Sequence, residues 1–411
     1  MKKTKLFTAF LAMGLITGCT QSTVSEPEEE TAVIQEEAEE ESTETEAAVQ
    51  LSEYTDTGDG SHAIEADGTE ESYSYIKVTK SGDSDGDEAD FYGTNAAIYA
   101  LNGASLTIEN AEIETDGKHA NAVFSYGEGT VLTISDSVIH TSGNCSGGLM
   151  TTGGGTMIAN DLTVITEGNS SAAIRSDRGG GTVIVTGGYY ESNGKGSPAV
   201  YSTADITVND AELVSNSAQG VVVEGKNSVT LNNVTLTASN TSKNSDKSSR
   251  FQAVMLYQSM SGDASKGTSS FVMNGGSLTN LNGSVFFVTN TSAVIELNNV
   301  TISNEGDFMN VEAAGWGKDG SNGGHVTMTA ADQTLSGDIT VDAISSLDLT
   351  LEEGTSYTGA ILSEGETGVT MNAGSAWILS GDTYITSLDG DTSGLNLNGY
   401  SLYVNGVLYT E

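Results

Sequence analysis

Proline, cysteine, aromatic rings and positive charge are all scarce in this chain. Two Pro against 50 Gly, with 6% aromatics, suit a fold of many tight turns. The two cysteines are Cys19 and Cys145, so at most one intrachain disulfide is conceivable, and stability must come from burial and backbone hydrogen bonds. Fifteen Lys and Arg stand against 56 Asp and Glu, a formal charge of −41. Such a surface repels nucleic acid and anionic headgroups, and it disfavours an anionic polymer unless cations bridge the two. Neutral glycans, cationic partners and divalent ions remain. The long apolar run is confined to Leu6–Ile16, too short to span a bilayer.

That run has a purpose at its own end of the chain. Lys2, Lys3 and Lys5 precede it and Thr17-Gly18-Cys19 ends it, which is the layout of a secretory signal. Ile16-Thr17-Gly18-Cys19 resembles the bacterial lipobox, which implies acylation of Cys19 and a mature chain starting there. Residues 1–18 are then the signal peptide, and membrane contact is expected only through the lipid. The protein is expected on the extracellular face of the cell membrane. Acylation also leaves Cys145 without a disulfide partner. Residues 19–52, with Glu28-Glu29-Glu30 and Glu39-Glu40-Glu41, read as a disordered, self-repelling acidic tether.

Residues 53–90 read as a cap or transition segment. Within it Tyr73–Val78 looks like a strand, and a Gly/Asp loop follows. Asp83, Asp85, Asp87 and Asp90 around Gly86 offer oxygen ligands at alternate spacing, the pattern of a calcium loop, although the later Glu of a full EF-hand loop is missing. Calcium is the cofactor such a loop would take; a solvated acidic loop is the plainer reading.

From Phe91 to the end the chain repeats itself. Leu106-Thr107-Ile108-Glu109-Asn110 returns as Leu132-Thr133-Ile134-Ser135-Asp136, as Ile206-Thr207-Val208-Asn209-Asp210 and as Val229-Thr230-Leu231-Asn232-Asn233. Weaker copies place the first apolar residue also at Met157, Val183, Phe271, Ile295, Val326, Leu349, Val369 and Leu395. The step is about two dozen residues, with insertions expected around 240–250 and 315–324. Alternation with a period of two marks half-buried strands. Units this short cannot bury their own core, so they must stack. The expectation is an all-β, single-stranded parallel β-helix over 91–411, of about twelve coils and roughly 60 Å at about 4.8 Å per coil.

Coil length and Gly/Asn corners resemble the pectate-lyase-like superfamily of β-helices, which implies a right-handed solenoid. Within it the repeats look most like adhesin-like surface proteins and carbohydrate-binding β-helix lipoproteins of anaerobic Firmicutes. This resemblance implies a non-enzymatic scaffold that binds a cell-surface or extracellular polysaccharide, or a surface protein of a host or neighbouring cell.

A second strand precedes the early copies and supplies candidate contacts. Ile98, Val123, Leu149, Ile174 and Val200 should face inward, which turns Tyr99, Phe124, Met150, Arg175 and Tyr201 outward in one stripe. Aromatics in a line can stack on sugar faces, with Arg175 and Asp177 bonding hydroxyls. The alternative is that residues 53–90, a loop or a second subunit covers the stripe. Trp316, flanked by Gly in an expected insertion, is a further candidate contact, whereas Trp377 reads as structural. Arg175, Asp177 and Arg178 are also where a lyase or hydrolase would centre, but no calcium cluster or basic patch for acidic sugar can be assembled around them. Asp136, Asp161 and Asp210 recur at the turn of the repeat, which argues for a backbone role. The four His, at 62, 119, 140 and 325, show no metal-ligand spacing. A passive spacer with no ligand is the third possibility.

Overall fold

A computed structural model describes residues 49–243 and 245–410. The expected signal peptide, Cys19 as the expected acylation site, and the expected tether as far as residue 48 lie outside the described residues. None of the described helices is long and apolar enough to cross a membrane.

The strands form a parallel β-helix with three strand positions per coil. One coil runs Val131–Ser135, Val138–Thr141 and Leu149–Thr152 before the next begins at Gly155–Asn160. The first two positions of successive coils build a 21-stranded sheet and the third position a 15-stranded sheet, while from Thr334–Ser336 on the second position splits off as a sheet of four strands. Among the described residues the one antiparallel pairing is Leu402–Val404 with Val407–Leu408, which folds back over the last coil.

The Asn, Asp or Gly of the repeat is the bend between the first two strands. Tyr75, Asn110, Asp136, Asp161, Asp210, Asn233, Asn299 and Asp332 all hold φ between 49° and 54°, with Gly187 and Gly275 in the same column. Asn and Asp tolerate this left-handed conformation better than other side chains. One αL residue therefore turns a single ribbon into two strands at each coil. Asp136, Asp161 and Asp210 are bends and form no catalytic cluster.

The core is the set of inward columns. Leu106, Leu132, Met157, Val183, Ile206, Val229, Phe271 and Ile295 stand in one register. In the second half the core becomes an aromatic stack, with Phe271, Phe286, Phe308, Tyr357 and Trp377 in ring-to-ring succession. Trp377 is fully buried and its indole donates to Gly359 O at 3.0 Å.

Two expectations need correcting. The coils begin at Ser52–Asp56, because Ile64–Asp67 and Glu70–Lys80 already pair in parallel with the strands that follow; residues 53–90 are coils before they are a cap. The partner of Ile295 is Met328, not Val326, and the partner of Val369 is Leu388, not Leu395. Taking Val326 for Met328 is a slip of two residues, which keeps the inside and outside faces the same, so the alternation cannot reveal it; Leu395 instead pairs with Trp377, at a different strand position of its coil. The third-position sheet holds fourteen parallel strands, from Ile64–Asp67 to Leu402–Val404, in keeping with the dozen or so coils expected from residue 91 on.

Candidate functional site

The outward column of the third-position sheet runs Tyr99, Phe124, Met150, Arg175, Tyr201, Val222, Met255 and Phe287 in strict register. It splits into two apolar clusters. Tyr99, Phe124 and Met150 form the first, and Val222, Met255 and Phe287 form the second, with Tyr201, Tyr257, Ala314 and Trp316 packed on it. Arg175 stands between them.

The first cluster is closed. The short helix α1, Asp87–Tyr92, lies across it and is fastened from both sides. Tyr99 Oη donates to Tyr92 O at 2.6 Å, and Thr152 Oγ1 donates to Phe91 O at 2.7 Å. Gly93, at φ 75°, sits so close over the Phe124 ring that a Cβ there would come within 2.8 Å of it. Only glycine permits that approach without strain. Of the two expectations for Tyr99, Phe124 and Met150, open contacts or a covered stripe, the structure has the second: a strap of the chain itself buries them, and burial pushes the Tyr99 hydroxyl well above its ordinary pKa.

The acidic residues of the strap do not converge on one point. Asp83 Oδ1 accepts from Lys118 N at 2.7 Å, Asp85 pairs with the Lys118 ammonium, Asp87 pairs with Arg178 at 2.8 Å and Asp90 faces Arg175 at 3.2 Å. Each carboxylate of the expected calcium loop is thus already partnered, two of them by Lys118 and the others by Arg178 and Arg175.

Arg175 and Asp177 form a buried pair at 2.8 Å. Burial pushes the Asp177 carboxyl up to about 6, against the pull of Arg175. Burial also works against the Arg175 charge, but Asp177 and Asp90 outweigh it and hold the guanidinium above its ordinary value. A guanidinium so held is no general base. Arg178 pairs with Asp263 and Asp87, each at 2.8 Å. Both arginines act as clamps between the coils, the strap and the 258–267 turn.

The second cluster is half open. Two insertions lean together above it: Gly315 N donates to Lys247 O at 2.7 Å, and Arg250 makes a two-pronged ion pair with Glu312 at 2.8 and 2.7 Å. This brings the Trp316 ring edge-on to Tyr257, centroids 5.3 Å apart. Between the 239–251 loop and the sheet a cleft opens, lined by Tyr201, Tyr257, Trp316 and Phe251, by Val222 and Met255, and by the amides of Gln219, Asn240 and Gln252. Lys243 stands on the same rim, beside Arg250, whose charge Glu312 already meets. Beneath it Glu224, fully buried, accepts from Tyr201 Oη at 2.7 Å and from Ser259 N at 3.2 Å. Burial raises the Tyr201 and Tyr257 hydroxyls well above their ordinary pKa, so they serve as hydrogen-bonding groups and not as bases.

Tyr201 and Trp316, singled out from the sequence, thus meet in one cleft, while Arg175 and Asp177 line the adjoining one together with Asp90, Cys145 and Tyr257. Sequence reasoning missed Tyr257, Val222, Met255 and the amides. The signal was present in Gly220-Val221-Val222 and Ala253-Val254-Met255, which continue the second-strand series. The 239–251 insertion disguised their spacing.

At the edge of the adjoining cleft, which Asp90 and Cys145 line, these two and the buried His119 place one donor atom each within 4.8 Å of one another. His119 and Cys145 occupy the same corner of consecutive coils, both at φ 56°. Burial, helped by Asp90, pushes the Cys145 thiol up, which does not suit a resting thiolate nucleophile.

Residues 74–240 match the family model described as a right handed beta helix region. No curated protein and no solved structure matches the chain.

Proposed function

From a chain that is a right-handed parallel β-helix with one half-open aromatic cleft on its flank, we propose a carbohydrate-binding protein, held at the outer face of a bacterial membrane through Cys19. The observation that carries this reading is the lining of the cleft. Tyr201, Tyr257 and Trp316 supply apolar ring surface, and Gln219, Asn240 and Gln252 supply amide donors and acceptors beside it. Sugars present both kinds of surface, C–H faces for rings and hydroxyls for amides, and few other ligands need them alternately along a groove. The acidic chain as a whole favours a neutral glycan. Lys243 would let the same cleft accept an occasional carboxylate on it.

A polysaccharide lyase centred on Arg175 and Arg178 is the rival reading, and their ion pairs count against it. The deciding experiment is a glycan and polysaccharide binding screen on the full chain, repeated with Tyr257→Ala and with Arg175→Lys. Retention of a glycan by the parent and its loss with Tyr257→Ala supports the proposal. Shortened polysaccharide products that vanish with Arg175→Lys would instead establish the enzyme. A folded protein that retains nothing would contradict both.

A further inference from the structure

We propose that Asp90, His119 and Cys145 form a site for one divalent cation of the zinc class, separate from the aromatic cleft. Three donors of different chemistry, a carboxylate, an imidazole and a thiol, come from the strap helix and from two successive coil corners, and all lie within 4.8 Å of one another. Donors around a tetrahedral zinc ion stand about 3.3–3.8 Å apart, so side-chain rotations of about an ångström close the set.

The second observation is the state of His119. Its ring is buried, and Nδ1 has no hydrogen-bond partner. Asp90 Oδ1 is 3.5 Å away, close enough for an ion to bridge the two and too far for a good direct bond. A buried imidazole nitrogen left this way costs stability unless something occupies the position. Metal coordination satisfies it.

Charge balance supports a divalent ion. Binding converts Cys–SH to a metal thiolate and releases one proton to solvent. The thiolate and the Asp90 carboxylate then neutralise two positive charges, while Arg175 keeps Asp177 as its counter-ion at 2.8 Å. A thiolate with an imidazole selects zinc or cobalt over calcium or magnesium. Three protein ligands leave a fourth position for solvent, and Asp90 and Cys145 both line the cleft that would supply it.

Cobalt is the probe, since thiolate ligation gives it a near-ultraviolet charge-transfer absorption. The full chain carrying Cys19→Ala is titrated with Co²⁺, then with Zn²⁺. The proposal expects one cobalt per chain with the thiolate absorption, displaced by zinc, unaffected by millimolar Ca²⁺, and abolished by Cys145→Ser. Serine is tolerated in this corner, because Ser170 holds it in the next coil at φ 55°. His119→Gln should weaken uptake at least tenfold. Absence of uptake, uptake without the thiolate absorption, or the same absorption in Cys145→Ser would each overturn the site. The spectrum of the parent chain decides even if a variant fails to fold.

Discussion

The guanidinium of Arg178 lies over the ring of Phe91, Cζ 3.7 Å from the ring centroid. Phe91 belongs to the strap helix and Arg178 to the turn that follows the strand Ile174–Ser176, so one contact joins residues far apart in sequence across the closed half of the outward stripe. A cation over a ring contributes about 0.5–2 kcal/mol, and the Asp263 pair adds to it. Arg178→Ala should therefore lower unfolding free energy by about 1–2 kcal/mol. Limited proteolysis should find new cleavage between residues 81 and 96. Denaturant titration and peptide mapping check the two halves.

The neighbouring Arg175 is a different case, because its partners are buried with it. Arg175→Leu leaves Asp177 and Asp90 without their cation and should cost about 3–5 kcal/mol in urea unfolding. Adding Asp177→Leu removes one stranded carboxylate. The double variant should recover part of that loss, in the manner of other buried ion pairs replaced by apolar groups. A double variant less stable than the single would contradict the pairing.

Acidity gives a further test. The folded pKa of Asp177, about 6, lies above the ordinary value of 3.8. The native state therefore holds this proton more tightly than the unfolded one. The group favours folding below about pH 4, and this contribution is lost as pH rises through 4 to 6. Relative to Asp177→Asn, the parent should lose on the order of 2–3 kcal/mol across that window. Stability measured at pH 4, 5, 6 and 7 for both chains checks the sign.

Calcium should matter little to the fold. Asp83, Asp85, Asp87 and Asp90 are already paired with Lys118, Arg178 and Arg175, so millimolar Ca²⁺ has no converging oxygen set to join. The melting temperature should move by less than about 1 °C, a threshold set by the few degrees expected per kcal/mol. A rise of several degrees would show that the loop rearranges around the ion.

The coils were legible because each repeat states its faces locally. Leu106, Ile108 and Asn110 announce two inward positions and a bend, and the structure uses them so. The first coils were less legible because Glu71 and Tyr73 stand where later coils have Leu and Ile. The outward direction of Tyr99, Phe124 and Met150 could be read from alternation, but whether they meet water could not. That depends on Gly93 passing within contact distance of Phe124, a tertiary fact with no period. Likewise Tyr257 enters the cleft because Arg250 and Glu312 draw two insertions together, and insertions carry no register.

The carbohydrate cleft is tested most directly by the fluorescence of Trp316 during titration with neutral polysaccharides. The other indole, Trp377, is fully buried in the core, so a change on titration reports the cleft. The account predicts a saturable change with at least one glycan, absent in Trp316→Phe and at least tenfold weaker in Tyr257→Ala. A change that persists in Trp316→Phe, or a flat response to a glycan the protein retains, would contradict it.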